Sequence, residues 1–364
     1  LKRIVLEKTN RRDNANTTKI LNYITHFIDW VLETHFSEKN DDGKMLHLYS
    51  NPFTKVRKKI QNTETVHNPL PYRYICDLRY ILCPKPRGSF SDWLWAQQQT
   101  GQGKTQSGNW FEVNKNLIDK NDKDCVWRTK KVTRKGRITI IYQIWSPVAS
   151  MVLFIKLHLP LRTYQVRMLD SGEADTLRYE NGNWIKNSHT LVLNYYNKGV
   201  FRQFKDNATG TESTGLYIST NKTADQNKNE FERGYEIPWQ HEDVLYWLSK
   251  LRNWQEKYNP IYELVDCSTL EAKHTKQIKS KASLSAMGHS CFLFRDASAK
   301  SKDDRTKPII DVPIFTLWYK LLQQLEKNLL VAGETLSDGT KLRLVNDYGL
   351  DYPTTKTKTE FPLH

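Results

Sequence analysis

The residue in this sequence best placed for chemistry is Arg162. It follows an almost wholly apolar run over 148–159, closed by Pro160, so it stands where a buried helix would end. A guanidinium brought to the edge of a core needs an anion to meet it, because arginine is almost never buried unpaired. Two readings are open. Glu173 or Asp175 could take Arg162 into a structural ion pair, or the arginine is held for an anionic substrate. Further cations are concentrated in two places. A polar turn over 220–230 carries Lys222 and Lys228, and the run Lys55-Val-Arg-Lys-Lys59 supplies Lys55, Arg57, Lys58 and Lys59. That run reads equally as a solvated face or as a set of phosphate contacts. His289 and Cys291 lie close together, but no second ligand pair answers them, so no metal site is expected.

The elements that must position these groups can be read from apolar spacing. Ser146-Pro147 supplies a hydroxyl N-cap and a residue suited to the first helical position. Val148, Val152, Phe154, Ile155, Leu157 and Leu159 leave no polar face, which predicts a buried helix. After Arg162 a second short helix carries Val166 and Leu169 inward until Ser171-Gly172 breaks it. Residues 17–36 form the clearest amphipathic helix, with Ile20, Tyr23, Ile24, Phe27, Ile28, Val31 and Leu32 on one face. A proline-marked linker and short helix follow over 66–84, with Ile75, Leu78, Ile81 and Leu82 inward. Residues 89–135 mix Trp93, Trp95, Trp110 and Trp127 with Gln, Gly, Asn and Lys, which predicts a long irregular insertion. Residues 137–142 lead from it into the central helix. Strand-like pieces fall at 176–179, 184–185, 190–196, 215–219, 235–238 and 291–294, and helices at 240–258 and 313–330.

Composition sets the frame. With 364 residues and 42.8 kDa, two domains are expected: 1–65, small and helical, and 66–364, with an insertion at about 85–140. The fold class expected is mainly α with a small antiparallel β-sheet. A net charge of +15 and a pI near 9.4 point to a polyanionic partner, nucleic acid being the commonest. Five scattered cysteines give neither a disulfide framework nor a zinc pattern. No apolar run reaches membrane-spanning length, so a reduced, cytoplasmic protein is expected.

This layout resembles that of the tyrosine recombinases, or phage-type integrases. The helix over 17–36 followed by Asn51-Pro52-Phe53 resembles that family's SAM-like core-binding domain. Leu161-Arg162, with Leu169 seven residues on and Glu173 eleven on, resembles its first arginine box. Lys222-Thr223, ahead of Ile237-Pro238, resembles its β-hairpin lysine, and Leu363-His364 the start of its His-x-x-Arg box. The stretch Pro86-Arg-Gly-Ser-Phe-Ser-Asp-Trp93 is similar to the divergent mobile-element integrases of the gamma-mobile-trio type. Two positions depart from the family pattern: Pro-Leu-Arg stands for Gly-Leu-Arg, and Gln165 for the usual Glu.

The resemblance implies a catalytic set of Arg162 as phosphate clamp, Lys222 as general acid and His364 as a donor to the transition state. Lys228 is the alternative to Lys222. It implies DNA cleavage through a 3′-phosphotyrosine without cofactor or metal, double-stranded DNA as partner, a clamp of two domains, and a homo-tetramer on DNA. It places the second arginine and the nucleophilic tyrosine beyond His364, since Tyr348 and Tyr352 come in the wrong order. A non-catalytic DNA-binding accessory protein on the same scaffold is the alternative reading.

Overall fold

In the computed structural model, two helices open the chain, α1 (Lys2–Thr9) and α2 (Ala15–His35), followed by a short antiparallel pair, β1 (Ser37–Lys39) and β2 (Met45–His47). The structure describes residues 2–9, 15–39, 45–55, 69–99, 109–134, 136–205, 209–220, 229–239, 241–276, 278–335, 339–345, 359, 361 and 363. The chain divides into two units, Leu1–Val66 and His67–His364. In the first, the predicted amphipathic helix is present, but the side chains it buries most fully are Thr17, Leu21 and Thr25. Tyr23 and Phe27, expected inward, are exposed. The apolar stripe is wider than the few elements of this small unit can cover. Asn51 ties the following turn to α2, donating to the Thr25 carbonyl at 2.9 Å and to the Asp29 carboxylate at 2.6 Å.

The second unit begins with α3 (Tyr72–Leu82) and α4 (Leu94–Gln98), then β3 (Trp110–Val113), β4 (Trp127–Arg134) and β5 (Arg137–Trp145). Helices α5 (Val148–His158) and α6 (Thr163–Arg167) follow. Next come β6 (Leu177–Glu180), β7 (Asn183–Lys186), β8 (Phe201–Lys205), β9 (Glu212–Ile218) and β10 (Tyr235–Ile237). Helix α7 (Glu242–Tyr258), β11 (Val265–Asp266), α8 (Ala272–Thr275), α9 (Lys281–Ser285), β12 (His289–Ser290) and α10 (Asp311–Val331) complete it. Among the described residues the named strands pair antiparallel, in the orders β3-β5-β4 and β10-β9-β8 and in three two-stranded pairs. The fold class is mixed α+β.

Helix α5 is the centre of the core. All of its residues but Lys156 and His158 are buried, and it packs against α3, α6, α7 and α10. Pro147, not Ser146, occupies its N-cap position. Burial on every side explains why no polar stripe was needed in its sequence. Trp93 and Trp247 stack edge to face at 4.9 Å, with Phe154 against both. The arms predicted as an irregular insertion are instead ordered: Trp93 and Trp110 are core, and β4 and β5 form a long hairpin with β3 on its other side.

Three other strand expectations change. Residues 190–196 are turns, β8 falls where none was expected, and 291–294 is buried without being a regular strand. This last segment is captured edge-on. Leu293 N donates to Leu169 O at 2.9 Å and Ser171 N to Cys291 O at 2.7 Å, while Val200 N donates to Asp170 O on the opposite side. Gly199 and Gly172 approach so closely there that a Cβ on Gly199 would lie 2.7 Å from the Gly172 Cα.

Candidate functional site

Arg162 occupies the N-cap of α6, and the loop that presents it is fixed from three directions. Arg79 on α3 donates to the Leu157 carbonyl from Nε and Nη2, at 2.9 and 2.5 Å, closing the C-terminus of α5. Lys156 Nζ donates to the Leu161 carbonyl at 2.7 Å. Gln165 Oε1 accepts from the Arg162 backbone N–H at 3.0 Å. The Gln165 amide then reaches away from α6, donating to the Thr220 carbonyl at 3.1 Å and to the Tyr235 hydroxyl at 3.2 Å. Ser219 Oγ adds a bond to the Met168 carbonyl. The end of β9 is therefore tied to the helix that carries Arg162, and the next residues in the chain hold Lys222.

The structural ion pair considered for Arg162 is not made. Glu173 is bound by both terminal nitrogens of Arg295, at 2.6 and 3.1 Å, with both side chains wholly buried. Asp175 accepts the backbone N–H groups of Lys198 and Gly199. Arg162 itself is exposed. It lines a cavity of about 500 Å³. Lys198, Arg233, Lys276 and Lys279 also face this cavity, against a single carboxylate among the described residues, Glu230. Glu230 is paired with Lys198, whose ammonium also reaches the Met287 and His289 carbonyls at 2.8 Å. Arg233 donates to the Ala286 carbonyl. Lys279 lies over the Tyr164 ring at 5.3 Å and Lys276 over Phe315 at 5.6 Å.

Two hydroxyls of the cavity wall, on Tyr164 and Thr220, are buried with no hydrogen-bond partner among the described residues. Burial pushes the Tyr164 phenol up to about 12, which suits a donor and not a nucleophile. Among the described residues, five cations, two unsatisfied hydroxyls and one already neutralised acid make a site for an anion with several oxygens, such as a phosphodiester. Lys156, behind the loop, is pushed down to about 8 by burial and by the nearby Lys276 charge.

Of the residues singled out in the sequence, Arg162 is in this cavity. Lys222, Lys228 and His364 lie outside the described residues, as do Arg57, Lys58 and Lys59. Lys55 is described and exposed in the first unit. The cavity adds residues the sequence had not offered, Lys276, Lys279 and Arg233, and gives Gln165 a bridging role. Lys276 has φ of +64°, an uncommon conformation for a side-chain-bearing residue that turns the chain after α8. Lys276 and Lys279 fall in 268–308, a stretch rich in Lys, Ser and Ala, and that composition is the one mark they leave in the sequence. Among the described residues no three His, Cys, Asp or Glu side chains converge to hold a metal ion, and no helix is long and apolar enough to cross a membrane.

Comparisons with curated proteins and with solved structures found no match. A family model described as "Putative integrase" matches residues 2–266, which take in the first unit and the second as far as β11, with Arg162 and the β8–β10 sheet. By that match the chain belongs to this integrase family, whose work is the joining of DNA.

Proposed function

We propose that this integrase is of the tyrosine type, cleaving and rejoining duplex DNA for the integration or excision of a mobile element. The observation that carries the reading is the state of Arg162: exposed, without a carboxylate partner among the described residues, and facing a cavity rich in cations. In this reading a tyrosine hydroxyl attacks the scissile phosphorus and the P–O5′ bond breaks. The products are a 3′-phosphotyrosine and a free 5′-hydroxyl. Arg162 bonds the non-bridging oxygens as negative charge grows on them. Lys222, two residues after Thr220 in the sequence, delivers the proton to the 5′-oxygen, and His364 donates to the same phosphoryl group. Gln165 acts as a positioning residue, holding the arginine loop in register with Thr220 and Tyr235, at the ends of β9 and β10. Lys55, Arg57, Lys58 and Lys59 contact the DNA backbone outside the site, and cleavage of paired sites proceeds in a tetramer on DNA. Phosphotyrosine conserves the energy of the broken bond, so rejoining needs no cofactor.

The test uses the full-length encoded protein and a suicide duplex, nicked beside its target site so that cleavage traps the intermediate. A covalent protein–DNA band on a denaturing gel in EDTA, reduced about 10²–10³-fold by Arg162→Ala, is the expected result. Salt-sensitive binding to the target without any covalent band would overturn the enzyme and leave a DNA-binding accessory protein.

A further inference from the structure

A second cationic feature lies apart from the cavity. From Cys125 to Leu169 the sequence contains no Asp or Glu and nine Lys or Arg. Six of the nine fall at positions 128–137, and the five of them that are described lie on β4 and β5. Strand β3 pairs with β5 only over Tyr142–Trp145, whereas β4 continues along β5 to the Arg134–Arg137 pair. Beyond Tyr142 the hairpin is therefore a ribbon of two strands.

The register divides its side chains between two faces, since opposed residues of an antiparallel pair share a face. One face carries Arg128, Lys130, Val132, Arg134, Thr139 and Arg137. The other carries Thr129, Lys131, Thr133, Ile138 and Ile140, and continues to Trp127 and Tyr142. Arg134 pairs with Glu112 on β3. Glu112 sits opposite Gln143 while Arg134 sits opposite Arg137, six residues along β5, or about 20 Å on a straight strand. The ion pair can close only if the ribbon curls toward the first face, which leaves the second face convex. On it, Ile138 is 75% exposed and Ile140 55% exposed. Lys120 and Lys115 extend the charge on this side, lying over the Trp127 and Tyr142 rings at 5.8 and 6.0 Å.

We infer that this ribbon lies in the major groove of duplex DNA, with Lys130, Lys131 and Arg137 on phosphates and Ile138 and Ile140 against thymine methyl groups. The inference rests on the integrase reading for the presence of DNA. A major groove about 12 Å wide admits a two-stranded ribbon, and apolar side chains read the C5-methyl of thymine there. Charge selects this occupant. Lys130, Lys131 and Arg137 are exposed and make no ion pair among the described residues. A second copy of the same ribbon would bring cation against cation, and lysines on an edge strand oppose pairing with another strand.

The test is equilibrium binding of the chain to a mixed-sequence DNA duplex between about 50 and 200 mM salt, where each phosphate contact contributes about −0.9 to the slope of log K against log salt. Lys130→Gln/Lys131→Gln/Arg137→Gln is expected to flatten the slope by about two to three, and the Arg, Arg, Lys exchange at the same positions to preserve it. Replacing thymine by deoxyuridine is expected to weaken the parent chain several-fold and leave Ile138→Ser/Ile140→Ser unaffected. A slope unchanged in the triple variant, with DNA binding retained, would overturn the ribbon and leave the integrase reading standing. Absence of any salt-dependent DNA binding by the parent chain would overturn both. A dimer in sedimentation that Ile138→Ser/Ile140→Ser dissociates would assign the convex face to a second copy and also sink the DNA assignment.

Discussion

Two arginines five residues apart, Arg162 and Arg167, meet opposite fates. Arg167 is wholly buried: it pairs with Asp311 and donates to the carbonyls of Ile309, Lys273 and His274. Arg162 is exposed, at the mouth of a cavity with more cations than acids. The same contrast holds between the regions around them. Behind α6, Arg295 has its carboxylate, Glu173, and Asp170 accepts from Gly172 N, Tyr196 Oη, Ser290 Oγ and Cys291 N. In front of it, Lys276 and Lys279 have aromatic rings beneath them and no acid among the described residues. Charges that hold the fold are neutralised inside it, and charges without an acid among the described residues face the cavity.

That contrast can be broken from either side. The largest effect is expected from Arg295→Met, which leaves the Glu173 carboxylate buried and unpaired, at a cost of about 3–5 kcal/mol in urea unfolding. Adding Glu173→Gln should recover part of it; no recovery would mean the pair is not coupled. Asp170→Asn comes next, since an amide turns a donor toward groups that themselves donate, costing about 1–3 kcal/mol. A loss below this range would show that water or a rotated amide satisfies those donors.

Asp175 gives a pH test. Burial, with Asp170 nearby, raises its carboxyl to about 7. The folded chain then holds this proton more tightly than the unfolded one. The stabilising contribution is full below about pH 4 and is lost as pH rises to about 7, at up to about 1.4 kcal/mol per pH unit. Asp175→Asn should remove that slope from unfolding curves taken between those limits, and an unaltered slope would assign it to other groups. The smallest stability effects are expected in the cavity. Arg162→Ala and Lys279→Ala should each shift unfolding by no more than about 0.5 kcal/mol, because neither closes a structural ion pair. A loss several times larger from Arg162→Ala would place that arginine with Arg167 and not with the substrate.

Much of this arrangement was legible before any coordinates. The apolar run ending at Pro160 announced α5, and through it the position of Arg162, because a helix buried on all sides must be apolar on all sides. Helices α7 and α10 were equally visible. The partner of Glu173 was not, because Arg295 lies more than a hundred residues away and nothing local marks it. The β3-β5-β4 sheet was missed for a related reason. Its tryptophans are separated by polar and glycine-bearing segments, so they suggested a loop pinned to the body and not core strands. Residue spacing also assigned Tyr23 and Phe27 to a buried face, but spacing cannot say how much of an apolar stripe a small unit is able to cover. Gln165 counted as a departure from a family pattern until its two amide bonds, to Thr220 and Tyr235, gave the exchange a structural use.

The stitching of Leu169–Ser171 to Cys291–Leu293 also sets a timetable for synthesis. Arg162 and its helix leave the ribosome long before the segment that closes the cavity behind them. At about 5–20 residues per second, the delay over these roughly 120 residues is on the order of ten seconds. During that interval the loop holding Asp170 and Glu173 lacks both Ser290 and Arg295, and the nascent chain carries Arg162 without the cavity wall that Lys276, Lys279 and Ser290 supply. Arrival of residue 295 is thus the moment at which the buried Glu173 carboxylate gains its partner.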